Sequence, residues 1–95
     1  MRRAARRDEN EKPIVQALEA AGYSVFRLSQ GGIPDLLVGK HKQCWLLEVL
    51  GDEKVAKYRK TGGLTPAQVK FWERWKGPAS CVRSIEEALV AVGLV

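Results

Sequence analysis

Gly32-Ile33-Pro34-Asp35-Leu36-Leu37-Val38-Gly39, followed by Cys44-Trp45-Leu46-Leu47-Glu48-Val49, is the stretch that decides the fold. Two short apolar runs, each carrying one carboxylate, flank the polar residues 40–43, a pattern that predicts a β-hairpin. A turn centred between His41 and Lys42 sets Lys40 opposite Gln43, Val38 opposite Trp45 and Asp35 opposite Glu48. The two acids then share one face as cross-strand neighbours, near enough to hold one divalent cation. His41 and Lys42 suit a two-residue primed turn poorly, so a four-residue loop on the same centre is expected, and it preserves the pairing. An acid buried in a sheet is costly unless paired, protonated or bound to metal. Two explanations stand side by side: a strand-start Asp facing water with an edge Glu paired to a nearby Lys, or a magnesium or manganese site.

Upstream, Ile14, Val15, Leu18 and Ala21 recur at helical spacing behind Asn10, with Pro13 in the first turn and Gly22 as the stop. Glu11 lies three residues before Ile14 and so faces the core side, a third acid aimed at the sheet. Its simpler explanation is a first-turn Glu favoured by the helix dipole. Residues 23–28 alternate like a half-buried strand, and 29–32 turn into the hairpin. Ahead of all this, Arg2, Arg3, Arg6 and Arg7 form a basic arm over residues 1–7, expected to be mobile and either a phosphate-contacting arm or a plain tail.

Downstream, residues 51–63 show no period and carry Lys54, Lys57, Arg59 and Lys60. A polar loop of that length is often functional, and this one is expected to contact phosphates or to stay solvated. Thr65-Pro66-Ala67-Gln68 opens a helix with an N-cap, a Pro in the first helical position and a capping box. Val69, Phe71, Trp72 and Trp75 supply its apolar face and read as core rather than as a base-stacking platform. Residues 79–82 form a short strand, and Ser84-Ile85-Glu86-Glu87 opens a terminal helix with a second capping box. The order α-β-β-β-α-β-α predicts one α/β domain over residues 1–95, a mixed β-sheet flanked by helices, with a right-handed crossover into the last strand.

The 95 residues hold 16 Lys and Arg against 11 Asp and Glu, a net charge of +5 that favours a polyanionic partner or serves solubility. Cys44 and Cys81, with a single His, exclude a zinc motif and are expected to be buried free thiols of a cytoplasmic protein. No apolar run approaches the roughly 20 residues that span a bilayer, and no secretory signal is visible, so no membrane partner is expected.

With Glu11, Pro34-Asp35, Glu48 and the helix carrying Gln68 in place, the chain resembles the VRR-NUC nucleases of the PD-(D/E)XK superfamily from about Asp8 onward. The resemblance implies a restriction-endonuclease-like core and a Mg2+ or Mn2+ enzyme that hydrolyses phosphodiesters in DNA. It implies Asp35 and Glu48 as metal-binding acids, Glu11 as the helix-borne acid that completes the shell, and Gln68 as the auxiliary polar residue. The family's Glu-x-Lys pattern fails at one point, since Leu50 occupies the position of the catalytic lysine. An engineered knockout, a natural loss of activity and a lysine migrated to Lys54 all account for that. Stand-alone members of the family are associated with Holliday-junction cleavage. The expectation is therefore a homodimer acting on branched DNA, with Arg6, Arg7, Lys54, Lys57, Arg59 and Lys60 contacting nucleic acid. The alternative is a catalytically silent junction-binding module on the same fold.

Overall fold

In the computed structural model of the chain, residues 9–94 are described. The basic arm, including Arg6 and Arg7, lies outside them. The hairpin forms with the register predicted: β2 (Leu36–Lys40) runs antiparallel to β3 (Gln43–Val49), with Lys40 opposite Gln43, Val38 opposite Trp45 and Leu36 opposite Leu47. The connection differs from the expected four-residue loop. It is a two-residue turn in which His41 and Lys42 both take positive φ, 54° and 65°. The left-handed conformation costs a non-glycine residue roughly 1–2 kcal/mol. A primed turn nevertheless matches the twist of the strands, and the ladder it closes holds both residues there.

Helix α1 (Glu11–Ala20) precedes β1 (Ser24–Arg27), which pairs antiparallel with β2. Gly22, at φ 94°, reverses the chain between them while the Tyr23 N–H closes onto the Leu18 carbonyl at 3.0 Å. After β3 the chain forms α2 (Asp52–Lys57), a 3₁₀ turn (Arg59–Thr61), α3 (Pro66–Arg74), β4 (Ala79–Val82) and α4 (Ile85–Ala91). Strand β4 pairs parallel with β3, giving a four-stranded mixed sheet in the order β1-β2-β3-β4. The expected order therefore gains a helix, because α2 and the 3₁₀ turn replace the irregular loop over 51–63. Asp52 and Glu53 in the first turn and Lys54 and Lys57 in the last complement the α2 dipole. A six-residue helix is too short to show an apolar period, which is why only its charge order betrays it.

Strand alternation gives the sheet two different faces. Leu36, Val38, Leu47, Val49 and Val82 point to one side, where Ile14, Val15 and Leu18 of α1 and Ala88 with Val92 from the α4 end bury them in a single core. Each fully buried aliphatic side chain there contributes roughly 1.5–3 kcal/mol. Asn10, rather than capping α1 with its side chain, donates from Nδ2 to the carbonyls of Leu50 at 3.2 Å and Arg83 at 3.0 Å. One amide thereby ties the start of α1 to the ends of β3 and β4. The opposite face carries Leu37, Leu46, Glu48 and Cys81.

Three expectations about packing are corrected. Cys44 and Cys81 are free and exposed, on the face away from the core, Cys44 beside the hairpin turn and Cys81 on the edge strand β4. The tryptophans of α3 are not core: Gln68 is the one buried residue of that helix, Trp72 is half-buried and Trp75 is exposed, stacked on Phe71 with ring centroids 5.4 Å apart. At α4, Ser84 caps the Glu87 N–H at 3.1 Å, but the Glu87 carboxylate accepts from the Arg83 N–H at 2.7 Å and not from Ser84, so the second capping box is half-formed. Among the described residues, no helix is long and apolar enough to cross a membrane.

Candidate active site

Glu48 sits on the non-core face of β3 and is 0 % exposed. The next residue after the paired part of the hairpin, Asp35, lies just outside β2, and its Oδ2 accepts the Val49 N–H at 2.8 Å. That bond turns the Asp35 carboxylate toward the backbone of β3 beside Glu48. Burial first, and then the nearby charge of Asp35, raise the Glu48 pKa from 4.5 to about 7, against the opposing pull of Lys54 and Gln68. The two hairpin acids thus act on one another electrically.

Gln68 is positioned by the start of α3. Its Oε1 accepts the Thr65 N–H at 2.9 Å, while the Thr65 hydroxyl accepts the Gln68 N–H at 3.2 Å. With its carbonyl end anchored in this capping box, the amide nitrogen can only point away from the helix terminus, and it donates to Glu48 Oε2 at 2.7 Å. The local signal that starts the helix is therefore also what aims the site residue. The loop between β1 and β2 packs against the same terminus: a Cβ on Gly32, at φ 89°, would stand 3.4 Å from Ala67 Cβ.

Lys54, the third residue of α2, reaches back and pairs with the same Glu48 Oε2 through its Nζ. Leu50 does something different from the lysine expected at its position. It is 4 % exposed, donates its N–H to the Val82 carbonyl at 2.9 Å, and packs its methyls against Gly63. A Cβ on Gly63 would lie 3.2 Å from Leu50 Cδ2, and Gly63 stands at φ 114°, so glycine is needed there for both space and conformation. Leu50 is the apolar seat on which the end of the 51–63 segment rests, and the ammonium beside Glu48 comes from α2.

Glu11 is 3 % exposed and accepts from Arg27 Nε at 2.8 Å. It reaches the sheet from the α1 side, the side opposite Glu48. Among the described residues, no group of three or more His, Cys, Asp or Glu side chains could hold a metal ion, so the expected trio divides into Asp35 with Glu48 and Glu11 with Arg27. Lys57, Arg59 and Lys60 are exposed on α2 and the 3₁₀ turn.

Two residues that sequence reasoning passed over stand beside these acids, one on each side of the sheet. Arg27 neutralises Glu11; the period-two pattern of β1 placed it on the α1 side, but nothing nearer than α1 itself announced its partner. Cys81 lies opposite Glu48 across the parallel ladder. Although the residue reaches solvent, partial loss of hydration at its sulfur and then the Glu48 charge push its thiol up to about 11, so at neutral pH it is no thiolate ligand.

The chemistry available is that of two adjoining carboxylates, one ammonium and one amide donor. Glu48 Oε1 is buried with no hydrogen-bond partner among the described residues, whereas Oε2 takes both donors. An unsatisfied buried carboxylate oxygen beside a second carboxylate fits a hard divalent cation. Magnesium characteristically uses one or two carboxylates and completes its shell with water and substrate phosphate, so a third acid is not required. Set against family models, characterised proteins and solved structures, the chain matches none.

Proposed function

We propose that this domain is a divalent-metal-dependent endodeoxyribonuclease of the PD-(D/E)XK kind. The observation that carries the reading is the convergence of Lys54 and Gln68 on buried Glu48, with Asp35 alongside. That set restores the acid-acid-lysine chemistry which Leu50 interrupts in the linear sequence. The mixed sheet, with a hairpin feeding a helix and then a parallel strand, is consistent with a restriction-endonuclease-like core.

Asp35 and Glu48 would hold Mg2+ or Mn2+, and the cation would supply Lewis-acid stabilisation of charge on a phosphoryl oxygen. The protein groups do the rest. Gln68, anchored through Thr65, fixes the orientation of the Glu48 carboxylate. Lys54 brings a compact charge with three donors, suited to orienting a water and to countering charge that builds on the phosphate. Lys57, Arg59 and Lys60 provide the adjoining positive surface for a DNA backbone. Glu11, held by Arg27 on the α1 side of the sheet, is assigned no ligand role.

The substrate is proposed to be branched DNA and the enzyme a homodimer, because symmetrical cutting of a four-way junction needs two sites of opposed polarity. Val90 and Leu94 at the α4 end, 60 % and 45 % exposed, offer apolar surface for such a pairing. Cleavage of labelled four-way and linear DNA with Mg2+, Mn2+ or chelator tests this reading. Cation-dependent cutting that favours the junction and disappears in Asp35→Asn is expected. Cutting that persists in chelator, or in Asp35→Asn, would remove the metal assignment; a monomer at micromolar concentration by sedimentation would remove the junction assignment. The silent-module alternative rests on Leu50 alone, and Lys54 at Glu48 weighs against it.

A further inference from the structure

Lys54 holds Oε2 of the same buried carboxylate whose unpartnered Oε1 the proposed cation would take, and the segment bearing it is lightly attached. No residue of α2 or of the 3₁₀ turn is buried. The segment begins at Gly51 and ends in Gly62 and Gly63, whose φ values of 70° and 114° are ones other residues rarely adopt. Its ties to the body include the Lys54 pair with Glu48, the exposed Arg83–Asp52 contact at 3.3 Å, and the seating of Gly63 on Leu50. Of these, the Lys54 pair is the one that reaches a buried charge.

Resting on the metal reading above, we propose that Lys54 and a divalent cation compete for Glu48, so that cation binding releases Lys54 and loosens the α2 segment toward a phosphate ligand. A dication seated against Glu48 repels an ammonium on the same carboxylate, and the low dielectric around a fully buried group leaves that repulsion little screened. Lys54 has somewhere to go, because its side chain is only partly buried, 24 % exposed, and lies on the same short segment as Lys57, Arg59 and Lys60. The pair therefore acts as an internal stand-in: it neutralises Glu48 without metal and hands a lysine to the phosphate when metal arrives. Since a ligand's apparent affinity falls by the fraction of protein competent to bind it, a Lys54 pair formed about nine-tenths of the time weakens cation binding about tenfold.

Calorimetric titration of the whole chain with MgCl2 reads this directly without DNA or turnover. Lys54→Met, which keeps the length and removes the charge, is expected to bind Mg2+ about tenfold or more tighter than the wild type, and Glu48→Gln to lose binding. Hydrogen exchange of residues 52–61 in the wild type is expected to quicken on adding Mg2+. Equal or weaker Mg2+ affinity in Lys54→Met, or exchange in that segment that slows, overturns the competition, as does an absence of binding in both proteins. Failure of the nuclease reading would appear separately, as DNA left uncut by a protein that binds Mg2+ and shows the expected difference.

Discussion

Replacing Glu48 by Gln should make the metal-free protein more stable at pH 8, and the size of the gain follows from the site. Ionised Glu48 is raised from the ordinary 4.5 to about 7 because burial and Asp35 oppose its charge more than Lys54 and Gln68 support it. That gap corresponds to about 3 kcal/mol. Its sign is fixed by proton uptake: between these two values the folded protein holds a proton that the unfolded chain has lost, so the stability this group confers is complete below about pH 4.5 and is lost as pH rises through about 7. A loss of that size is a substantial part of the roughly 5–15 kcal/mol that holds a domain folded. Urea denaturation in chelator, repeated from pH 5 to pH 8.5, should show wild-type stability falling by about 3 kcal/mol relative to Glu48→Gln. Adding Mg2+ at pH 8.5 should return part of the loss in the wild type only, since a ligand of the folded state stabilises by mass action. Parallel pH profiles for the two proteins would refute the assignment of a strained carboxylate at this position.

Three further outcomes are expected. Gln68→Ala removes the reciprocal bond of the α3 capping box together with a donor to a buried carboxylate, and should lower stability by about 2 kcal/mol in urea melts while raising the Glu48 pKa seen by carbon-13 NMR. Exchanging His41-Lys42 for Asn-Gly puts residues suited to positive φ into the two-residue turn and should raise stability by about 1 kcal/mol in urea melts, leaving DNA cleavage unchanged. Leu50→Lys buries a charge where a methyl-lined seat for Gly63 now stands, and should destabilise the protein by several kcal/mol, of order 3, read as a lower urea midpoint.

How much of this was legible in the sequence differs from element to element. The hairpin register was readable because apolar alternation fixes which residues face the core, and a shift of one residue would have turned Leu36, Val38 and Leu47 to the wrong side. Gln68 was readable because Thr65-Pro66-Ala67-Gln68 announces a helix start, though the bond from its amide to Glu48 depends on tertiary placement. The two-residue turn was missed because His41 and Lys42 carry no propensity for positive φ, and the ladder imposes it. Helix α2 was missed because it buries nothing and so leaves no apolar period. Lys54 itself was readable, as the nearest lysine after the position where Leu50 interrupts the Glu-x-Lys pattern, and it does pair with Glu48; the helix that carries it there was not. The tryptophans misled because large aromatic residues at helical spacing describe a face that packs, and α3 presents its buried position, Gln68, to the site instead.

Lys54, and not position 50, is proposed to supply the ammonium of a metal-dependent phosphodiesterase site. Single-turnover cleavage of a four-way DNA junction in Mg2+, by the wild type, Lys54→Ala and Leu50→Lys, tests it most directly. The rate is expected to fall by about a hundredfold or more in Lys54→Ala, the scale typical of removing one transition-state donor, with no gain in Leu50→Lys. A rate undiminished in Lys54→Ala, or raised by orders of magnitude in Leu50→Lys, would contradict it.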